Sequence, residues 1–177
     1  EPRGEYQLRV RHMMQDGMGN MRMQFERLKE RLLKEGLFDD ARKKALPPLA
    51  RKVAIISSAS GAALQDFISI LKRRGWNGSV FLFNSPVQGK DAPAGLIKAL
   101  ARAVSFPDVE LIVLARGGGS IEDLWAFNDE QLVRKVAECP IPTISAIGHQ
   151  TDFVLTDFSA DFRAETPSAA AEWISSE

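Results

Sequence analysis

The segment LIVLARGGGS at residues 111–120 joins a short apolar run to a polar, glycine-rich loop. Three more β-rich apolar runs, at residues 53–56, 80–83 and 143–147, are also followed by polar loops. Stretches with helical spacing of apolar residues follow these runs, the last of them predicted over residues 153–162. Near-continuous apolar strands that alternate with helices are typical of a parallel sheet covered on both faces. The sequence therefore predicts an α/β fold with an open, mostly parallel sheet and helices on both faces.

An N-terminal strand and a basic amphipathic helix are predicted to precede this α/β region. Apolar residues alternate over residues 5–11, which predicts a strand with one buried face. Residues 17–20, Gly-Met-Gly-Asn, predict a turn. Apolar residues then recur at spacings of three and four over residues 21–32, which predicts a helix that ends near Gly36.

The chain is predicted to divide into two parts. Residues 1–52 hold the strand, the helix and a connector, and residues 53–177 form the α/β domain. A last helix is predicted over residues 168–175, because Thr166-Pro167 is a typical N-cap followed by proline at the first helical position. Since the chain starts without Met and stops within this predicted helix, we expect it to be a fragment of a longer protein.

Composition excludes several classes of protein. The 177 residues carry 23 basic and 23 acidic side chains, so a strongly basic nucleic-acid binder is not indicated. The balance is uneven, because residues 1–52 hold 13 basic and 8 acidic side chains; this excess either attracts a polyanion or only solvates a helix. A single cysteine, Cys139, excludes an internal disulfide. No apolar run approaches the roughly 20 residues that span a bilayer, so we expect a cytoplasmic protein without a membrane partner.

The unusual polar residues cluster on the loops that follow the four apolar runs. In a parallel sheet these loops share the edge at the carboxyl ends of the strands, where ligands bind in open α/β folds. Arg116 offers a bidentate fork for phosphate, and the amides of Gly117, Gly118 and Gly119 are unshielded. Ser120 can cap a following helix, whose N-terminus would also favour an anion. The alternative is that the three glycines only form a tight turn.

Three titratable residues are candidates for chemistry at the same edge. His149 stands on a polar loop and can exchange protons near neutral pH, or it only makes a structural hydrogen bond. Asp152 could orient its imidazole, and Asp66 supplies a second carboxylate. The alternative for both carboxylates is that they only decorate helix starts, where the macrodipole favours acidic side chains.

Three segments closely resemble the large subunit of bacterial exodeoxyribonuclease VII. They are RGGGSIEDLWAFNDE at residues 116–130, IGHQTD at 147–152 and ADFRAETPSAAAE at 160–172. Shorter matches lie at residues 35–39, 60–66 and 87–89. The resemblance implies a nuclease catalytic domain that stands between an OB-type domain and a C-terminal region that recruits small subunits. Both of those regions would be absent here.

The resemblance also implies a substrate and a set of site residues. The family degrades single-stranded DNA to oligonucleotides, and the positions that match its catalytic residues are Asp66, Arg116, His149 and Asp152. Residues expected to bind phosphate or DNA are Ser60, Gly61, Gln88, Gly117, Gly118, Gly119 and Ser120. No cofactor is strictly required, but Mg²⁺ at Asp66 and Asp152 is allowed; Gln150 replaces a usual Glu, which removes one metal-facing carboxylate. The rival hypothesis is a non-enzymatic module that binds a nucleotide or phosphate.

Overall fold

The computed structural model describes residues 16–176 as an α/β fold. The strands are β1 (Lys52–Ser57), β2 (Ser79–Asn84), β3 (Leu111–Arg116), β4 (Thr143–Ile147) and β5 (Phe162–Arg163). The α-helices are α1 (Asp16–Lys34), α2 (Ala62–Arg73), α3 (Ala92–Val104), α4 (Ile121–Leu124), α5 (Glu130–Ala137), α6 (Leu155–Ser159) and α7 (Pro167–Ile174). The four predicted apolar strands are confirmed.

The five strands form one open parallel sheet in the order β2-β1-β3-β4-β5. The register pairs Ile56 of β1 with Leu114 of β3, and Arg116 of β3 with Ile147 of β4. Because all the strands run the same way, the loops that follow them lie at one edge of the sheet. The predicted shared edge is thereby confirmed.

Helices cover both faces of the sheet, as predicted. Ile55 and Ile56 are fully buried neighbours on β1 whose side chains point to opposite faces, because successive side chains alternate along a strand. Ile56 belongs to the core under α3 and α5, whereas Ile55 belongs to the core under α2 and α7, where Phe67 is also fully buried. Burying each of these side chains contributes roughly 1.5–3 kcal/mol, so both layers hold the sheet.

Helix α1 confirms the predicted basic helix but begins earlier than expected. Residues 17–20, predicted to form a turn, lie within it, since glycine permits a turn without requiring one and costs only about 1 kcal/mol inside a helix. The chain leaves the helix at Gly36, whose φ is +72°. Leu32 is fully buried against Val133 of α5 and Leu155 of α6. The strand predicted over residues 5–11 lies outside the described residues.

The helix predicted over residues 153–162 is shorter than expected. Helix α6 spans Leu155–Ser159, and Ala160 turns the chain into an extended conformation. Phe162 and Arg163 then pair with Ile144 and Ser145 of β4 as a fifth strand. The predicted C-terminal helix is confirmed as α7, capped by the Thr166 hydroxyl, which accepts a hydrogen bond from the Ala169 amide at 3.0 Å. Within residues 16–176, no helix has the length and apolar character to cross a membrane.

Candidate active site

A groove of about 460 Å³ opens at the edge where the loops after β1, β2 and β3 meet. We call it the arginine groove. Its lining includes six of the predicted phosphate-site residues: Ser60, Gly61, Gln88, Arg116, Gly117 and Gly118. The first turn of α2 also lines it, and no side chain caps that helix start, so its free amides favour an anion there.

Arg116 ties two of these loops together at the end of β3. Its Nη1 donates to the carbonyl of Gly117 at 3.0 Å, and its Nη2 donates to Oε1 of Gln88 at 2.9 Å. The side chain is only 8% exposed, and Nη2 also lies 3.6 Å from Oδ2 of Asp123. A guanidinium has five N–H donors, so Arg116 keeps N–H groups beyond those that bind Gly117 and Gln88.

The imidazole of His149 and the guanidinium of Arg116 pack against two consecutive residues of the glycine-rich loop, Gly118 and Gly119. A Cβ on Gly118 would lie 1.6 Å from Cε1 of His149, and a Cβ on Gly119 would lie 2.3 Å from Nη1 of Arg116. Both positions must therefore be glycine for the two side chains to lie where they do. Among the described residues, the amides of Gly117, Gly118 and Gly119 donate no hydrogen bond, so they are free for an anion.

His149 projects from the loop between β4 and α6, and its side chain is 69% exposed. Its Nδ1 lies 3.5 Å from Oδ2 of Asp152, and the same oxygen accepts the His149 backbone N–H at 2.9 Å. Gly148 has a φ of +78°, and a Cβ there would lie 2.7 Å from Asp152 Oδ2. Asp152 is therefore placed to orient a protonated imidazole.

Ser120 caps α4 as predicted, in a reciprocal arrangement with Asp123. The Ser120 hydroxyl accepts the Asp123 N–H at 3.3 Å, and the Asp123 carboxylate accepts the Ser120 N–H at 3.3 Å. Because α4 has only four residues and this carboxylate occupies its start, the helix dipole adds little to anion binding. The groups at this edge that favour an anion are therefore Arg116, the loop amides and the start of α2.

A model of the family described as "Exonuclease VII, large subunit" matches residues 37–177. The chain belongs to the exonuclease VII large-subunit family. It is 51% identical over 174 residues to the exodeoxyribonuclease 7 large subunit of Alcanivorax borkumensis, which covers 98% of this chain and 39% of the relative. The protein of the same name from Erwinia tasmaniensis is 48% identical over 175 residues, 99% of this chain and 38% of the relative. The chain thus spans about two fifths of the length of the curated relatives it matches.

Of the four predicted catalytic residues, Asp66 lies apart from the other three. It is exposed on α2 and makes no hydrogen bond or ion pair with the residues that the structure describes. It stands one helical turn after Ala62, which lines the arginine groove, and helical side chains lean toward the N-terminus. Asp66 is therefore one helical turn away from the groove lining and is not part of it.

The donor set does not form a protein-built metal centre. Within residues 16–176, no three His, Cys, Asp or Glu side chains come together as metal ligands. Gln150, next to His149, has an amide side chain and not the carboxylate that a metal would prefer. This amide donates a hydrogen bond to Glu165 at 3.4 Å.

Sequence reasoning missed the residues that support the loop carrying His149. Asn128 Oδ1 accepts the Leu155 N–H at 2.8 Å, and Asp157 Oδ2 accepts the Val154 N–H at 3.0 Å. Arg163 donates to two carbonyls of the loop. The available signal was that Arg163 lies within the segment 160–172 that resembles the family, although nothing in the local pattern predicted β5. Cys139, in contrast, is buried, which raises the pKa of its thiol and opposes a nucleophilic role.

Proposed function

We propose that this chain is the part of an exonuclease VII large subunit that hydrolyses phosphodiester bonds of single-stranded DNA to oligonucleotides. The observation that carries the proposal is the packing of Arg116 and His149 against the consecutive glycines 119 and 118. A permanent cation from the end of β3 and an imidazole from the loop after β4 thus pack against the same glycine loop, and Gly118 of that loop lines the arginine groove. The name of the relatives, exodeoxyribonuclease 7 large subunit, supports DNA as the substrate.

In this proposal the scissile phosphate lies in the arginine groove. The remaining N–H groups of Arg116 and the amides of Gly117 to Gly119 bind its oxygens and stabilise the negative charge that develops during hydrolysis. Ser60, Gly61 and Gln88 contact the neighbouring backbone of the strand. Ser120 holds the glycine loop through its cap on α4.

His149 acts as the general acid or base, because its exposed imidazole can reach a bound phosphate and exchange protons with water. Asp152 orients the imidazole, because one of its oxygens lies 3.5 Å from Nδ1 and accepts the His149 backbone N–H. Asp66 positions water beside the arginine groove. Hydrolysis in this proposal does not strictly require a metal, and Asp66 and Asp152 are the carboxylates that would contact Mg²⁺ if it binds.

The test compares variants of the full-length enzyme assembled with its small subunit, on single-stranded DNA. We expect His149→Ala to lower kcat by about 100-fold or more, while DNA affinity stays within about threefold of wild type. Gln150→Ala is the matched control, because it truncates the neighbouring side chain of the same loop and removes only the weak contact with Glu165.

The same assay separates an enzyme from a binding module. A module that only holds a phosphate needs Arg116 and the loop amides but has no use for His149. Near-normal rates in both His149→Ala and Asp66→Ala would overturn the catalytic assignment. Loss of DNA binding in Arg116→Ala without any effect of His149→Ala on cleavage would favour the module.

We also propose that the whole large subunit works in the cytoplasm and binds its small subunit through a region C-terminal to this chain. The chain spans about 39% of its relatives, which leaves room for such a region. Co-purification of the small subunit with the full-length protein, but not with residues 1–177, is the expected result. Equal retention by both proteins would contradict it.

A further inference from the structure

Arg163 on β5 holds the loop that carries His149 and Asp152 at two backbone positions. Its Nη2 donates to the carbonyl of Gln150 at 3.1 Å and to the carbonyl of Asp152 at 3.0 Å. Its Nε lies 3.4 Å from Oδ2 of the buried Asp157. We propose that Arg163, anchored by Asp157, is a positioning residue that sets the place of His149 and Asp152 in the active site. This inference rests on the catalytic function proposed above.

Asp157 is suited to be the fixed end of this arrangement. Its side chain is 1% exposed and accepts hydrogen bonds from the Ser145 hydroxyl at 2.6 Å and the Val154 amide at 3.0 Å. It therefore joins β4, the start of α6 and, through Arg163, β5. A buried carboxylate is costly unless it is paired, so the guanidinium and the carboxylate hold each other in place.

One face of the Arg163 guanidinium is also restrained, by an aromatic ring. Its Cζ lies 4.1 Å from the centroid of the Phe153 ring, within the range of a cation–π contact. Arg163 is thus held by a carboxylate at one edge and by a ring on one face, while Nη2 is left to bind the two carbonyls. A planar fork fixed in this way imposes a geometry on the loop, which a single flexible ammonium would not.

His149 depends on this restraint because its own side chain has few contacts. It is 69% exposed, and the contacts that place it are Gly118 and Asp152. The position of the imidazole therefore follows the backbone of its loop. Gln150 and Asp152 both turn their carbonyls toward Arg163, so rotation of either peptide would move the imidazole or its carboxylate partner. A displacement of about 1 Å at a reacting group lowers the rate by about 100-fold.

The principal test is Arg163→Lys in the full-length enzyme with its small subunit. Lysine keeps the positive charge beside Asp157 but loses the planar fork. We expect kcat to fall by about 10- to 100-fold with KM within about twofold, because a residue that only positions the loop acts on the chemical step and not on ground-state binding. We also expect hydrogen exchange in a peptide that covers residues 148–154 to accelerate by about tenfold.

Arg134→Lys is the matched control. Arg134 on α5 also binds two partners, Glu35 just after α1 at 2.7 Å and Glu130 on its own helix at 2.8 Å. We expect this variant to keep wild-type kcat and wild-type exchange over residues 148–154. Asp157→Asn is the second test variant, since it weakens the anchor and leaves Arg163 in place; we expect a smaller loss of kcat in the same direction.

The outcomes separate this inference from the proposed function. Normal kcat in both Arg163→Lys and Asp157→Asn would overturn the inference, provided that His149→Ala is inactive in the same assay. A loss of kcat without faster exchange over residues 148–154 would also overturn it, because Arg163 would then act by another route. If His149→Ala remained active, the proposed function would fail, whereas the exchange measurement would still report whether Arg163 restrains the loop.

Discussion

Gly118 is the residue whose missing side chain decides where His149 lies. A methyl group at this position would overlap the imidazole at 1.6 Å, and the exposed ring would have to move toward solvent. We expect Gly118→Ala to lower kcat for single-stranded DNA by about 100-fold, because the general acid or base leaves its working position. Thermal unfolding should change little, because the displaced ring is not part of the core.

Gly117→Ala is the comparison for this prediction, because it adds the same methyl group to the same loop. A Cβ on Gly117 meets no atom within 4 Å. We expect Gly117→Ala to keep a kcat at least about tenfold higher than that of Gly118→Ala. Equal losses in the two variants would show that loop flexibility, and not the place of the imidazole, controls the rate.

The isolation of Asp66 leads to a prediction about metal dependence. Within residues 16–176 no three His, Cys, Asp or Glu side chains come together as metal ligands, so any Mg²⁺ would be held by one or two carboxylates together with water and substrate phosphate. The chemistry proposed above uses Arg116 and His149 and does not need such an ion. We expect the full-length enzyme to keep at least about a tenth of its cleavage rate in excess chelator. Complete loss of cleavage, with recovery on adding Mg²⁺, would contradict a metal-independent reaction.

At the scale of the elements, α1 is docked onto the sheet domain through Leu32. This side chain is fully buried against α5 and α6, whereas its neighbour Leu33 is 56% exposed. We expect Leu32→Ala to lower the free energy of unfolding by about 2–5 kcal/mol and Leu33→Ala to change it by less than about 0.5 kcal/mol. Urea denaturation of the two variants measures both values. If both variants changed the free energy of unfolding by a similarly small amount, residues 1–52 would be a unit that folds separately from residues 53–177.

The start of α6 carries a pH-dependent contribution to stability through Asp157. Burial raises the pKa of this carboxyl, although hydrogen bonds from Ser145 and Val154 and the charge of Arg163 act against the rise. The folded state therefore holds the proton more tightly than the unfolded state. This contribution is fully present below the ordinary Asp pKa of about 3.9 and is lost as the pH rises through the raised value.

Asp157→Asn tests this sign, because asparagine cannot ionise. We expect the free energy of unfolding of wild type, relative to the variant, to fall as the pH rises from about 4 to 7. Urea denaturation over that pH range measures the difference and cancels the contributions of other carboxylates. A difference that stays constant, or that grows with pH, would contradict a raised pKa for Asp157.

The sequence predicted the central elements because their signals are local. Residues 53–56 and 111–114 are continuous apolar runs, and such runs in alternation with helices specify a covered parallel sheet. The pair Phe162–Arg163 is too short to show any period, and its pairing with β4 depends on a contact distant in sequence. The turn predicted at residues 17–20 was wrong, since α1 runs through both glycines and each costs only about 1 kcal/mol inside a helix.

The predictable part of the candidate site was its location, and the unpredictable part was its internal geometry. Arg116 and His149 follow strands, so the fold alone brings them to one edge. Their packing on Gly119 and Gly118 depends on backbone positions that the residue types do not specify. The same limit applies to Arg163, whose role depends on the direction of two carbonyls.

At the scale of the whole molecule, the charge is balanced at 23 basic and 23 acidic side chains, which gives little long-range attraction for a polyanion. The chain also spans only about 39% of its relatives, and the family resemblance implies that an OB-type domain, which would bind the DNA strand, lies outside it. We expect the isolated 177-residue chain to cleave single-stranded DNA at least about 100-fold more slowly than the full-length enzyme at low substrate concentration. The difference in cleavage rate between the isolated chain and the full-length enzyme should narrow as the DNA concentration rises. The isolated chain lacks only contacts that help to bind DNA, whereas all the groups proposed for the chemistry are present. Cleavage rates measured over a range of DNA concentrations, with His149→Ala in the same chain as the control, check both statements. Full activity of the isolated chain at low DNA would contradict the prediction, since these residues would then hold the strand without help.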